Sequence, residues 1–320
     1  MQKVTDFLLS LVSPLKMIRY RSMSVLIAII IFLLSVQVIY FPYKQAIRKQ
    51  APEIETDYSL FPLKALPNTE EVNNFVTELK SYGCAIDKSK RLVCANLTDG
   101  TLIEKTFVFD YEGYTKKLHF YLDYYQDEEP QLDLKDGFAS KDYPYVENEE
   151  DYFLVLTPEY IYYQPFTMLT KAEKEDPVKH GDYSLVGFQI NLPYSYFKDF
   201  TLSVDEPEVK GYSLGPYLAR KIVEGIVEIE ISRSLLNILL TTVLLPLVFI
   251  FMFWLVFKRT GHLKYFKEYY NIAAISSIVP LLVTFGVAWF FPVVINWYIF
   301  IFSLFYIFVL YRINNSPEVV

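Results

Sequence analysis

Cys84 and Cys94 are the only two cysteines in the chain, and their spacing permits one kind of covalent chemistry. The residues between them, including the run at 87–91, are polar and turn-like, so the two thiols could face one another across a hairpin. No Cys-x-x-Cys pair or nearby pair of histidines indicates a metal site. We predict a disulfide between Cys84 and Cys94, and the alternative is two reduced, partly buried thiols.

The three histidines, His119, His180 and His262, are the other candidates for catalysis or metal binding. They are dispersed along the chain, and we expect His119 and His180 to be ordinary surface histidines. The sequence has no Walker A loop, no G-x-G-x-x-G, no H-E-x-x-H and no G-x-S-x-G. We therefore predict no catalytic, cofactor-binding or metal-binding residue, no cofactor, and a protein that is not an enzyme.

Two acidic clusters, at 127–129 and 147–151, raise the question of calcium binding. Neither cluster, with the nearby Asp133 and Asp136, places carboxylates at the alternate positions that a calcium loop requires, so both are interpreted as solvated loops.

A group of aromatic residues offers a second kind of surface. Tyr160, Tyr162 and Tyr163 are our candidates for binding a partner or a glycan, although packing in a core is the alternative.

Residues 53–210 are long enough for one globular domain, which we predict to be a mixed, β-rich α+β domain. Alternating apolar residues at 118–125 indicate a half-buried strand, and the turn at Glu112 and Gly113 pairs it with 106–111 in a hairpin. A capping pattern at 68–71 predicts a helix that follows it. Further strands are expected at 152–156, 160–163 and 183–191.

Uncharged apolar runs occupy residues 23–43, 235–257 and 271–311. About 20 such residues cross the hydrocarbon core of a bilayer, so the third run is too long for one helix and is expected to fold back near Phe290, Phe291 and Pro292. The fold class is therefore an α-helical membrane protein with four transmembrane helices plus the α+β domain. The spans are placed at 23–43, 235–257, 270–291 and 293–311, with an interfacial segment at 1–22 and an amphipathic helix at 215–233.

Basic residues indicate how the chain crosses the membrane. They concentrate before the first span and between the second and third, at Lys3, Lys16, Arg19, Arg21, Lys258, Arg259, Lys264 and Lys267. The positive-inside rule makes these segments and both termini cytoplasmic, so the domain at 53–210 is expected to be extracytoplasmic. Lys44, Arg48 and Lys49, immediately after the first span, oppose this orientation.

The spans contain polar residues but no Asp, Glu, Lys, Arg or His. Ion-coupled transport normally needs ionisable groups inside the membrane, so we interpret Asn271, Ser276 and Ser277 as polar contacts that hold helices together. A transport site built on broken helices at Pro280 and Gly286 remains an alternative.

Two short stretches carry a resemblance to a known family. Phe-Leu-Leu-Ser-Leu-Val-Ser-Pro at 7–14 and Phe-Val-Phe-Asp-Tyr-Glu-Gly at 107–113 resemble segments of the bacterial membrane protein family of unknown function 1189. The resemblance implies an external domain, a hydrophobic C-terminal bundle similar to that of Yip-type proteins, and a bacterial cell membrane as the location. Some members are described as maltodextrin-utilisation proteins of the MalA type, which implies a link to sugar uptake and supplies no catalytic residues.

The sequence thus favours a non-enzymatic accessory membrane protein whose external domain engages a partner or a cell-envelope ligand. The expected partners are the lipid bilayer and a membrane protein, either a transporter or an envelope complex, and no nucleic acid. An extracytoplasmic sensor that signals through the helix at 215–233 and a transporter subunit are the alternatives.

Overall fold

A computed structural model describes residues 11–134, 138, 146, 148–166, 190–202 and 213–316. The chain divides into two compact units. The first comprises Met1–Lys49 and Glu230–Val320, and the second comprises Gln50–Ile229. His180 and most of the strand expected at 183–191 lie outside the described residues.

The second unit is built around a mixed five-stranded sheet. A short ladder pairs β1 (Cys84–Ile86) with β2 (Leu92–Cys94), and the sheet has the order β3-β4-β5-β6-β7. Only the β4–β5 pair is parallel, so the chain must cross over between these two strands. The strands are β3 (Thr101–Tyr111), β4 (Tyr114–Tyr124), β5 (Glu149–Leu156), β6 (Tyr160–Phe166) and β7 (Ile190–Pro193).

The β3–β4 hairpin forms where the sequence predicts it. Glu112 and Gly113 are its two loop residues, and their φ angles of 53° and 82° are those of a tight turn that matches the twist of the strands. The predicted helix also forms, from Glu70 to Ser81, and the Thr69 hydroxyl accepts the Val72 N–H at 3.3 Å as its N-terminal cap.

The helix Glu70–Ser81 covers one side of the sheet, which we call the front face. Its Phe75 ring lies 5.4 Å from the Phe107 ring and 5.1 Å from the Phe120 ring. Short helices at Ala51–Asp57 and Phe61–Lys64 precede it near the start of the domain. A Cβ at Gly215 would lie 2.0 Å from the Leu63 carbonyl oxygen, so glycine permits this close approach of two backbones.

The opposite side, the back face, is also covered, which differs from the expected half-buried strand. Tyr121 and Asp123 of β4 point to this side and are 6% and 0% exposed. Leu132, Leu134 and Phe138, from the connection between β4 and β5, pack against Tyr121 and its neighbours. The alternating pattern identified the strand but could not reveal a cover that comes from a later part of the chain.

Four helices of the chain are long and apolar enough to span a membrane. They run from Val25 to Lys49, Leu214 to Phe257, Phe266 to Ala288 and Pro292 to Asn314. The fold-back expected at Phe290, Phe291 and Pro292 therefore occurs. The first helix continues past residue 43, with Pro42 inside it, and includes Lys44, Arg48 and Lys49.

The helix expected at 215–233 and the span expected at 235–257 are one helix of 44 residues. A π-helical turn at Leu240–Leu244 interrupts its regular α-helical bonding just before Pro246. Pro246 has no N–H to donate to the Thr242 carbonyl and its ring crowds that carbonyl, which accounts for a wider turn at this position.

One end of the first unit is strongly basic. Asn271 donates from Nδ2 to the carbonyl oxygens of Arg21 at 3.0 Å and Met23 at 2.6 Å, which joins the N-terminal segment to the third of the four apolar helices. Asn314 accepts the backbone N–H of His262 at 3.1 Å, which brings the end of the last helix to the same place. The basic residues gathered at this end are Lys16, Arg19, Arg21, Lys258, Arg259, Lys264, Lys267 and Arg312.

We expect Phe120→Ala to lower the free energy of unfolding of the sheet domain by about 3–5 kcal/mol, because it leaves a cavity under a fully buried ring. Urea-dependent proteolysis of the full-length protein in detergent measures this change. Val108→Ala is the control, since Val108 lies in the same hairpin and is 62% exposed. An equal decrease in the free energy of unfolding in both variants would contradict the packing of the front face.

Candidate functional site

The crossover from β4 to β5 creates a polar site in the sheet domain. Its first part, residues 125–134, lies over the back face, and we call it the strap. The buried Asp123 carboxylate accepts the N–H of Leu132 at 2.9 Å and the N–H of Gln131 at 3.3 Å. Hydrogen bonds from backbone groups to a buried carboxylate offset part of the cost of its burial and fix the strap over the sheet.

Two further side chains hold the connection on either side of Asp123. At its beginning, Asp99 accepts the backbone N–H of Asp127 at 3.1 Å and also that of Gln126. These hydrogen bonds hold the pKa of Asp99 below its usual value. Further along, the Gln164 amide accepts the N–H of Phe138 at 3.0 Å and donates to its carbonyl oxygen at 3.2 Å.

A cavity of about 430 Å³ lies between the strap and the sheet. Aromatic rings, carboxylates and amides all reach it, which is a combination that can contact both the apolar and the polar parts of a ligand. The strap contributes Tyr125, Glu129, Pro130, Gln131, Leu132, Asp133 and Leu134, and the sheet side contributes Thr157, Tyr162 and Asn191.

Tyr162 is the aromatic residue of this cavity that is best placed to meet a ligand. It is half-buried, and its hydroxyl has no hydrogen-bond partner within the described residues. Burial, together with the nearby Tyr125, Tyr160 and Glu159, raises the pKa of Tyr162 to about 12. The hydroxyl therefore keeps its proton at neutral pH and can both donate and accept a hydrogen bond.

The structure separates the three tyrosines that the sequence grouped as one surface. Tyr160 and Tyr162 lie on the back face with ring centroids 5.7 Å apart. Tyr163 lies on the front face, is fully buried, and donates its hydroxyl to the Ser59 carbonyl oxygen at 2.8 Å. The prediction that Tyr163 belongs to a binding surface is wrong, because neighbouring residues of a strand point to opposite faces.

Cys84 and Cys94 are directly paired across β1 and β2 and form a disulfide with an S–S distance of 2.05 Å. The Tyr124 hydroxyl accepts the Cys94 N–H at 3.3 Å, so this ladder is tied to the end of β4. The bond lies away from the cavity lining and stabilises the domain rather than contributing a group to the site.

His119 differs from the ordinary surface histidine that we expected. Its Nε2 lies 2.7 Å from Asp151 Oδ1, its Nδ1 lies 3.0 Å from Thr106 Oγ1, and its ring stacks on Phe153 at 4.7 Å. The imidazole is thus held between neighbouring strands on the back face. This environment of His119 could not be predicted from the sequence, because Asp151 becomes its neighbour only through the parallel pairing of β4 and β5.

The hydroxyl–imidazole–carboxylate order of Thr106, His119 and Asp151 is also that of a catalytic triad. None of the three residues lines the cavity between the strap and the sheet. Within the described residues, no group of three or more His, Cys, Asp or Glu side chains could hold a metal ion. The three side chains form a polar contact across β3, β4 and β5.

Comparison with protein-family models, with curated proteins and with solved structures finds no match to this chain.

We expect Cys84→Ser with Cys94→Ser to lower the free energy of unfolding of the sheet domain by about 2–3 kcal/mol, because the unfolded chain regains the freedom of a short loop. Urea-dependent proteolysis measures the change, and Val93→Ala in the same ladder is the control. Mass spectrometry of non-reduced protein that found both thiols free would contradict the disulfide.

Proposed function

We propose that this chain is a non-enzymatic accessory protein of a bacterial cell membrane, whose extracytoplasmic sheet domain engages an envelope ligand or a partner. The observation that carries the proposal is the cavity between the strap and the back face. It is lined by groups suited to binding, and the Thr106–His119–Asp151 chain of hydrogen bonds lies outside it.

The chemistry of the cavity favours a ligand with hydroxyl or amine groups and an apolar face, and we take a saccharide as its class. The Tyr125 and Tyr162 rings offer flat apolar surfaces of the kind on which sugar rings stack. Glu129, Asp133 and Asn191 offer acceptors for hydroxyl groups. A saccharide ligand is also compatible with the resemblance to maltodextrin-utilisation proteins.

The basic end of the first unit supports the proposed orientation. Lys16, Arg19 and Arg21 lie at the same end of the bundle as Lys258 and Arg312, because Asn271 and Asn314 join the segments that carry them. The positive-inside rule makes this end cytoplasmic. Lys44, Arg48 and Lys49 belong to the opposite end of the first helix and are fewer.

A sensor is the second candidate, and the 44-residue helix from Leu214 to Phe257 favours it. Its first part belongs to the sheet domain and its remainder to the membrane unit. A ligand that displaced this helix within the sheet domain could change the membrane part without an intervening flexible link. A sensor requires that ligand binding alter the surroundings of Pro246, whereas an accessory protein that recruits a partner does not.

We expect Tyr162→Ala to weaken saccharide binding by at least about tenfold, because it removes an aromatic wall of the cavity. Calorimetric titration of the full-length protein in nanodiscs with maltooligosaccharides and soluble fragments of envelope glycans measures the affinity. Tyr111→Ala is the control, since Tyr111 lies at the β3–β4 turn, away from the cavity. A ligand that binds Tyr162→Ala and the native protein equally would contradict the proposed site.

We expect a membrane-impermeant maleimide to label Val108→Cys in intact cells and Thr260→Cys only after permeabilisation. The native protein supplies no competing thiol, because both of its cysteines are in the disulfide. Val108 is an exposed residue of the sheet domain and Thr260 an exposed residue of the basic end, and neither change alters the charge. The reverse labelling pattern would refute the proposed orientation.

A further inference from the structure

A second cavity, of about 360 Å³, opens at the basic end of the first unit. Two membrane helices line it, those that end at Phe257 and Asn314. Its apolar lining consists of Phe253, Phe257, Ile307 and Leu310, and its more polar lining of Thr260, Gly261, Tyr311, Asn314 and Asn315. The cavity is thus apolar along the helices and polar towards their ends, which is the polarity of a lipid molecule.

Three positively charged residues are next in sequence to residues that line this cavity. Lys258 and Arg259 immediately follow Phe257, and Arg312 lies between Tyr311 and Asn314 in the last turn of its helix. Within the described part of the chain, no carboxylate forms an ion pair with any of these three side chains. Lys258 instead lies over the Trp254 ring, with Nζ at 4.6 Å from its centroid.

Glu268 is the single carboxylate at this end among the described residues of the first unit, and it already has partners. It accepts the backbone N–H of Lys264 at 2.8 Å and that of Tyr265 at 3.0 Å, at the start of the third membrane helix. Among the described residues at this end, the cations thus outnumber the carboxylates. An anion from outside the chain is favoured here by charge.

We propose that this cavity binds one anionic phospholipid. An acyl chain occupies the apolar part between Phe253 and Ile307, and the phosphate lies at the mouth beside Arg259 and Arg312. A free inorganic anion would leave the apolar part unused, and a zwitterionic lipid would leave the net positive charge uncompensated. Basic pockets between membrane helices on the cytoplasmic side are suited to such headgroups.

This proposal rests on the four helices lying in a bilayer and is independent of the ligand of the sheet domain. The test uses the full-length protein in a mild detergent, with equal amounts of phosphatidylglycerol and phosphatidylcholine added. Native mass spectrometry counts the lipids that each protein molecule retains. We expect one phosphatidylglycerol to be retained in preference to phosphatidylcholine.

Two pairs of variants distinguish lipid binding in the cavity from general electrostatic attraction of the lipid. Arg259→Gln with Arg312→Gln should lower the ratio of phosphatidylglycerol-bound to free protein by about tenfold, since each cation near an anionic lipid contributes to binding. Lys49→Gln with Arg233→Gln removes the same charge from outside the basic end and should leave the ratio unchanged. Ile307→Trp should block the cavity, whereas Leu304→Trp, on the same helix but outside the cavity lining, should not.

Equal retention of the two lipids by the native protein would overturn the proposal. An equal decrease in the ratio of phosphatidylglycerol-bound to free protein in the two charge variants would also overturn it, because the attraction would then be unspecific. Full retention of phosphatidylglycerol by Ile307→Trp would show that the lipid binds elsewhere. The comparisons between variants use only variants whose thermal unfolding in phosphatidylcholine matches that of the native chain. The comparison of the two lipids on native protein does not depend on whether a variant folds.

Discussion

The carboxylate of Asp123 is the constraint on which the binding site depends. It lies in a strand between Leu122 and Tyr124, fully buried, where an unpaired polar group would be costly. The N–H groups of Gln131 and Leu132 satisfy it, and the same two bonds hold the strap against the back face. The cavity lies between those two surfaces, so its shape follows from this side chain together with Gln164, which binds the backbone of Phe138.

In the first unit, the polar side chains of the apolar helices form a different kind of hydrogen bond. Ser276 and Ser277 donate their hydroxyls to the carbonyl oxygens of Ala273 and Ala274 in their own helix, at 3.0 and 2.8 Å. As donors, both hydroxyls therefore bond within their own helix, while Ser277 also interacts with the Tyr298 side chain of the last helix, as expected of a contact between helices. Asn271 does connect separate segments, and it does so at the basic end rather than in the middle of the bundle. Backbone groups in an α-helix form their hydrogen bonds inside that helix, so few of them are left to link one helix to another.

Much of the architecture could be predicted from local patterns, because these patterns are physical requirements of each element. The turn at Gly113 and the cap at Thr69 need only a few neighbouring residues, and both occur as predicted. The four apolar helices follow from length and composition. Their ends were less predictable, since nothing in the sequence marks a stop between the amphipathic part and the apolar part of the helix that begins at Leu214.

The site itself could be predicted only in part, because its residues are brought together by the sheet. Tyr162 was identified, but Tyr125, Thr157 and Asn191 become its neighbours through the crossover and the pairing of β6 with β7. The grouping with Tyr163 failed for a local reason, since strand alternation places it on the other face. Asp123 was the residue from which the site could have been predicted, because an acidic residue in an apolar strand needs buried hydrogen-bond donors. These donors are the N–H groups of the residues eight and nine positions later.

Amide hydrogen exchange at Gln131 and Leu132 tests the central claim most directly, because these two N–H groups are the ones that Asp123 binds. In the full-length native protein we expect both amides to be protected, and in Asp123→Ala to exchange at least about tenfold faster as the strap loses its anchor. Asp110→Ala is the control, since Asp110 is an exposed residue of the neighbouring strand that does not contact the strap. Equal exchange at Gln131 and Leu132 in the native protein and Asp123→Ala would contradict the account, because the strap would then be held by something other than this carboxylate.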